Sequence, residues 1–166
     1  MSERDVPPNW LGIYLNARLA RATTGLELAR RAAHGNQDAE HGKRLSLLAR
    51  DIAADRRTLL QLMRTVGVRV HRTKILGGWL RGKAARLKPH ANVFTRSPIR
   101  QLIELEALYL VIQGKAACWR VLLAAAANGA PVDEQSLRLL HDRANDQLAV
   151  AEDLRIEAGT RAFTCG

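Results

Sequence analysis

Apolar residues recur along this chain at spacings of three and four, the period of a helix that turns one face to a core. Leu11, Leu15, Leu19, Ala22, Leu26, Ala29 and Ala33 form one such stripe, and Asn9, after Pro7 and Pro8, stands where a cap is needed. Gly35 and Asn36 stop it, so the first helix is expected from about Asn9 to His34. The second starts between Asp38 and Lys43 and ends near Gly67, with Leu45, Leu48, Ile52, Leu59, Leu62 and Val66 on one face. The same register places Asp55 between Ile52 and Leu59. Ser97 and Pro98, a capping serine and a proline at the first helical position, open a third helix that reaches about Asn128. Its stripe is Leu102, Leu105, Tyr109, Ile112, Ala116, Trp119, Leu123 and Ala126. Gly129-Ala130-Pro131 ends it, and Asp133 can cap a fourth helix running to about Ala162.

Four helices of about 24 to 31 residues are roughly 36 to 46 Å long, matched well enough to lie side by side. The expected fold is therefore an all-α four-helix bundle. Joints of about seven and about five residues make antiparallel neighbours of the first and last pairs, whereas the segment of about 30 residues between the second and third helices can cross the whole bundle. The expected layout is an extension over 1–8, one domain over 9–162 with its crossover at 68–97, and a tail over 163–166.

Two helical hairpins joined by a long crossover that carries a short helix of its own resemble the ferritin-like fold. The runs Gly25-Leu-Glu-Leu-Ala-Arg30 and Asp55-Arg-Arg-Thr-Leu-Leu60 are similar to those of small actinobacterial proteins of that type. The resemblance covers about residues 9–162 and implies a ferritin-like domain. A di-iron site in such a bundle takes one carboxylate from each of two helices and a Glu-x-x-His pair from each of the others. Here Thr58 stands three residues after Asp55, Asn145 after Asp142, Ala149 after Asp146 and Arg155 after Glu152, so no helix offers the histidine. No metal ligand and no cofactor is predicted.

Carboxylates are nevertheless expected to face inward at Glu27, Asp55 and Glu106. An unpaired carboxylate on a core stripe costs several kcal/mol, so Asp55 needs a buried cation, and neighbouring helices offer Arg18, Arg21, Arg30, Lys115 and Arg120. Arg155 is the matching candidate for Glu106, because the third and fourth helices are antiparallel. His34, Asp38, Glu40 and His41 bracket the first joint, where the absence of apolar residues favours a solvated loop over a metal site.

Composition adds charge to this picture. The chain of 166 residues has 26 Lys and Arg against 16 Asp and Glu, a formal net charge of +10. No acid lies between Asp55 and Glu104, and the intervening stretch holds the whole excess. Within it Arg69, Arg72, Lys74, Arg81, Lys83, Arg86 and Lys88 are candidate anion-binding residues, on and around a short basic helix with Leu76, Leu80 and Leu87 on one strip. Four readings stand side by side: a solvated face whose apolar strip packs on the bundle, a polyanion contact by backbone neutralisation, an amphipathic contact with an anionic membrane, and a small anionic ligand at a helix N-terminus. Aromatic residues at 4% argue against a reader that stacks bases.

Two cysteines make no disulfide framework, and no Gly-rich phosphate loop or Gly-x-Ser-x-Gly run is present. The apolar stretch from Leu102 to Ala127 is interrupted by Glu104, Glu106, Lys115 and Arg120, which speaks for a helix buried in protein rather than lipid. With no apolar leader at its start, the chain is expected in the cytoplasm. The expected function is that of a non-catalytic binding or scaffolding protein whose contact face lies at 69–100. A homodimer is the accompanying expectation, from Ile13, Tyr14, Ala17 and Leu28 off the main stripe of the first helix. The alternative is a ferritin-like metal-binding protein or oxidase using the inward carboxylates.

Overall fold

The computed structural model describes residues 9–35, 39–71 and 98–164. Four helices fill them: α1 (Trp10–Gly35), α2 (Ala39–Thr65), α3 (Pro98–Ala127) and α4 (Glu134–Thr164). The protein is an all-α four-helix bundle. The short basic helix expected within the crossover lies outside the described residues, as do Arg72, Lys74, Arg81, Lys83, Arg86 and Lys88.

The helix ends form where the polar punctuation placed them. The Asn9 side chain accepts from the Gly12 amide at 2.8 Å, and Asp133 accepts from the Ser136 amide at 2.8 Å, so each satisfies an otherwise orphaned donor of a first turn. At the other ends, Gly67 and Gly129 adopt φ of 68° and 88°. The reversed turn lets Val68 donate to the Met63 carbonyl at 2.8 Å and Ala130 to the Ala125 carbonyl at 3.0 Å, the closing bonds of two Schellman motifs.

Helices α1 and α2 pack along their length, as do α3 and α4, while α1 lies against α3 and α2 touches α4 more lightly. The core is two clusters rather than one continuous column. Leu15, Leu19, Leu59, Leu62, Trp119, Leu122, Leu137 and Leu140 gather at one end. Leu26, Ala29, Leu45, Ile52, Leu105, Leu108, Ile112 and Leu154 gather at the other. The start of α1 thus shares a level with the ends of α2 and α3 and the start of α4. Consequently α2 and α3 run parallel, each neighbouring pair is antiparallel, and the end of α2 and the start of α3 lie at opposite ends of the bundle.

Helix α3 differs from the sequence reading by one residue in its centre line. Leu108 and Leu122 are buried at its heart, whereas Tyr109 and Leu123 are only partly covered. Because α3 faces both α1 and α4, its inward surface is wider than a single 3,4 stripe. The same helix is long and apolar enough to cross a membrane by composition alone. Its inner residues, from Leu102 through Leu122, are instead buried against the other helices.

Candidate functional site

The seam between the two apolar clusters is polar. Asp55 projects into it from α2 and is 2% exposed. Lys115 of α3 donates to Asp55 Oδ2 at 2.7 Å, and the Gln147 amide of α4 donates to the same oxygen at 2.8 Å. Lys115 also donates to Gln147 Oε1, closing a triangle across three helices. Arg143 of α4 brings its Nη2 to 3.0 Å from Asp55 Oδ1, an ion pair whose alignment falls short of a hydrogen bond. The central carboxylate is thus neutralised from two helices. Burial holds the Lys115 ammonium below its usual pKa, and the Asp55 charge opposes that shift.

Beside this knot, α1, α2 and α3 enclose a cavity of about 30 Å³. Ile52, Leu59, Val111, Ile112 and Trp119 supply its apolar wall, and Arg18, Arg21 and Arg56 stand at its edge. Arg18 stacks 4.8 Å over the Tyr14 ring and reaches the Gly114 carbonyl at 3.5 Å. The buried Arg18 Nε and Trp119 Nε1 have no hydrogen-bond partner among the described residues. Cys118 also lines this space. Burial pushes its thiol above the ordinary value, and the Tyr14 hydroxyl with which it hydrogen-bonds is likewise raised by burial. A thiol so placed stays protonated, the opposite of what a nucleophile needs.

Of the three carboxylates expected to face inward, the structure buries Asp55 alone. Glu27 and Glu106 are exposed, a correction to the sequence reading. Both lie just off the apolar stripes, and a quarter-turn there is enough to carry a side chain from core to water. Arg155 stands 3.6 Å from Glu106 but pairs more closely with Glu152, at 2.7 Å on its own helix. Among the described residues no group of three or more His, Cys, Asp or Glu side chains is placed to share an ion. His41, from the first joint, instead contacts Glu157 of α4, which Arg44 also holds at 2.9 Å.

Arg69, the first of the candidate anion-binding residues, is exposed. Its position is set by Asn16, a residue the sequence reading did not single out. Asn16 is 5% exposed on α1, donates to the Arg69 carbonyl at 2.9 Å and accepts from the His71 amide at 2.8 Å. One amide side chain thereby fastens the start of the basic segment to the bundle. Nothing in the spacing of α1 announces this, because the partner is backbone. Gln147 was more legible, since it continues the stripe of Leu140, Ala144, Ala151 and Leu154 at 3,4 spacing. Arg143 lies off that stripe and reaches Asp55 only by the length of its side chain.

Compared with known families, curated proteins and solved structures, the chain matches none. Fold and site together define a four-helix bundle whose core is divided by a neutralised ionic knot.

Proposed function

We propose that the protein is a non-catalytic binding or scaffolding bundle of ferritin-like type, acting in the cytoplasm and using residues 69–100 as a contact face for a polyanion. The observation that carries the non-catalytic reading is the state of Asp55. Its carboxylate is engaged by Lys115, Gln147 and Arg143, and a group so committed is a strut between helices rather than a base or an open ligand. The parallel course of α2 and α3, which calls for a long crossover, supports the ferritin-like type. The Asn16 clamp supports the contact face, because it anchors the basic segment at its first residues instead of leaving it on a free tether.

Binding of DNA, RNA and anionic vesicles at about 50 mM salt tests the contact face, since backbone neutralisation is strong there and weakens as salt rises. Affinity that falls with salt and with Lys83→Glu and Arg86→Glu together supports it, and no measurable binding to any of the three overturns it. The competing reading, a metal-dependent oxidase or metal store using Glu27, Asp55 and Glu106, is tested by metal analysis of the purified protein. Stoichiometric iron or manganese that disappears in the Glu27→Gln, Glu106→Gln protein, which retains the buried knot, would overturn the non-catalytic reading.

A further inference from the structure

The bundle itself is electrically lopsided. Helices α1 and α2 carry four and six Lys and Arg against one and three acids, leaving the first hairpin at +6. Helices α3 and α4 carry three and four against two and six, leaving the second at −1. The excess on the first hairpin is also ordered in space. Lys43, Arg50, Arg57 and Arg64 repeat every seven residues along α2, and all four are exposed.

Seven residues are close to two full helical turns, so the four cations form a ridge with steps of about 10 Å and a length of about 31 Å. They lie opposite the buried stripe of Leu45, Ile52, Leu59 and Leu62 and point away from the bundle. None of the four is in an ion pair among the described residues. Arg30 of α1 joins Arg50, Arg57 and His34 around an open groove of about 490 Å³ floored by Ala33, Ala49, Ala53 and Ala54, with Asp51 the one acid in its lining.

We propose that this α2 ridge, with the alanine-floored groove beside it, is a docking surface for the phosphate backbone of a double-stranded nucleic acid. Three of the four ridge residues are arginine, whose planar fork binds phosphate oxygens in pairs. The groove admits backbone closely because its floor is alanine. Between successive ridge cations, three and four positions from them, stand Ser46, Leu47, Ala53, Ala54, Leu60 and Gln61, with Ala39 and Glu40 preceding Lys43, and of these only Leu47 is a large exposed apolar side chain. A membrane surface would call for an apolar face to insert, and a single strand would call for aromatic rings to stack on bases. The ridge offers charge at regular intervals and neither of those. A length of about 31 Å nearly matches one turn of duplex, about 34–36 Å, so contacts are sequence-independent and made along one face. The inference is independent of the 69–100 contact face, since it rests on α2.

The test is fluorescence anisotropy with a mixed-sequence DNA duplex of about 20 base pairs, titrated across a salt series. The variant Arg50→Gln, Arg57→Gln changes exposed residues, for which folding stability moves by only about 0.5 kcal/mol either way. If the ridge neutralises phosphates, that variant binds at least tenfold more weakly, and the slope of log K against log salt falls by about 2, near 0.9 for each lost contact. Arg120→Gln, Arg138→Gln, exposed residues of α3 and α4, serves as the charge-matched control and leaves binding unchanged. Unaltered affinity and slope in the ridge variant would overturn the inference. If Lys83→Glu, Arg86→Glu abolishes binding at the same time, the proposed function survives that failure. Loss of binding to anionic vesicles with duplex binding intact would overturn it in favour of a membrane surface. Absence of duplex binding by the unaltered protein at about 50 mM salt would overturn it outright.

Discussion

Lys115 Nζ lies 2.7 Å from Asp55 Oδ2, and both side chains are almost withdrawn from water, at 12% and 2% exposure. The pair sits where the two apolar clusters of the bundle meet, so it fixes the level at which α2 and α3 face each other across the diagonal. A buried ion pair contributes little net stability compared with apolar residues of the same volume, but removing one partner leaves an uncompensated charge. Its value to this protein is therefore register.

Asp55→Ala is expected to cost about 3–5 kcal/mol in urea unfolding at neutral pH. The triple variant Asp55→Leu, Lys115→Met, Gln147→Leu should recover most of that loss, because it removes the desolvation cost together with the attraction and leaves no buried amide without a partner. A triple variant as unstable as Asp55→Ala would contradict this account.

The same deletion has a pH signature. In Asp55→Ala the desolvation that already lowers the Lys115 pKa acts without its counter-charge, so the folded-state value drops further below the ordinary 10.5. Between those two values the unfolded chain binds more protons than the folded one, and stability rises with pH through that interval. The deficit of Asp55→Ala relative to the unaltered protein should accordingly shrink from pH 7 to about pH 9.5, and Lys115→Met should remove the effect.

At the far end of the bundle Glu157 answers in the opposite direction. The Arg44 guanidinium, with His41 beside it, holds the Glu157 carboxyl below its usual value of 4.5. The stability it contributes is present above that usual value and is lost as pH falls through the depressed one. Glu157→Gln should give a shallower loss of stability below about pH 4.5 in acid titration followed by circular dichroism. An unchanged acid limb would show that the exposed pair contributes nothing measurable.

Asn16→Ala should release the backbone it holds. The His71 amide, now bonded to Asn16 Oδ1, is expected to exchange with solvent at least tenfold faster in hydrogen-exchange measurements. The cost in global stability should be about 1 kcal/mol, because two part-buried backbone hydrogen bonds are lost.

Two glycines inside helices should respond with opposite signs. A Cβ at Gly25 would stand 2.8 Å from Val111 Cγ1, at the contact of α1 with α3, so Gly25→Ala forces those helices apart or Val111 to move. At Gly114 a Cβ meets nothing within 4 Å. Gly114→Ala should raise stability by about 0.5–1 kcal/mol through lower backbone entropy in the unfolded chain, and Gly25→Ala should lower it by about 1–3 kcal/mol. Thermal unfolding of the two variants side by side decides the matter.

The sequence by itself determined the four helices of the described residues, their ends to within a few residues, and the presence of a carboxylate in the core. Those features are local: a cap, a left-handed glycine and a 3,4 stripe act within one or two turns, and Asn9, Asp133, Gly67, Gly129 and Asp55 each declare themselves in their own neighbourhood. Only the tertiary structure decided which cation meets Asp55, that Gln147 and Arg143 share it, that Glu27 and Glu106 turn to water, and that Asn16 holds a segment more than fifty positions away. Such choices depend on the rotation of whole helices about their axes and on the reach of long side chains. The cationic ridge falls between the two cases, since its period of seven is written in the chain, while its exposure and its lack of ion pairs among the described residues are properties of the packed bundle.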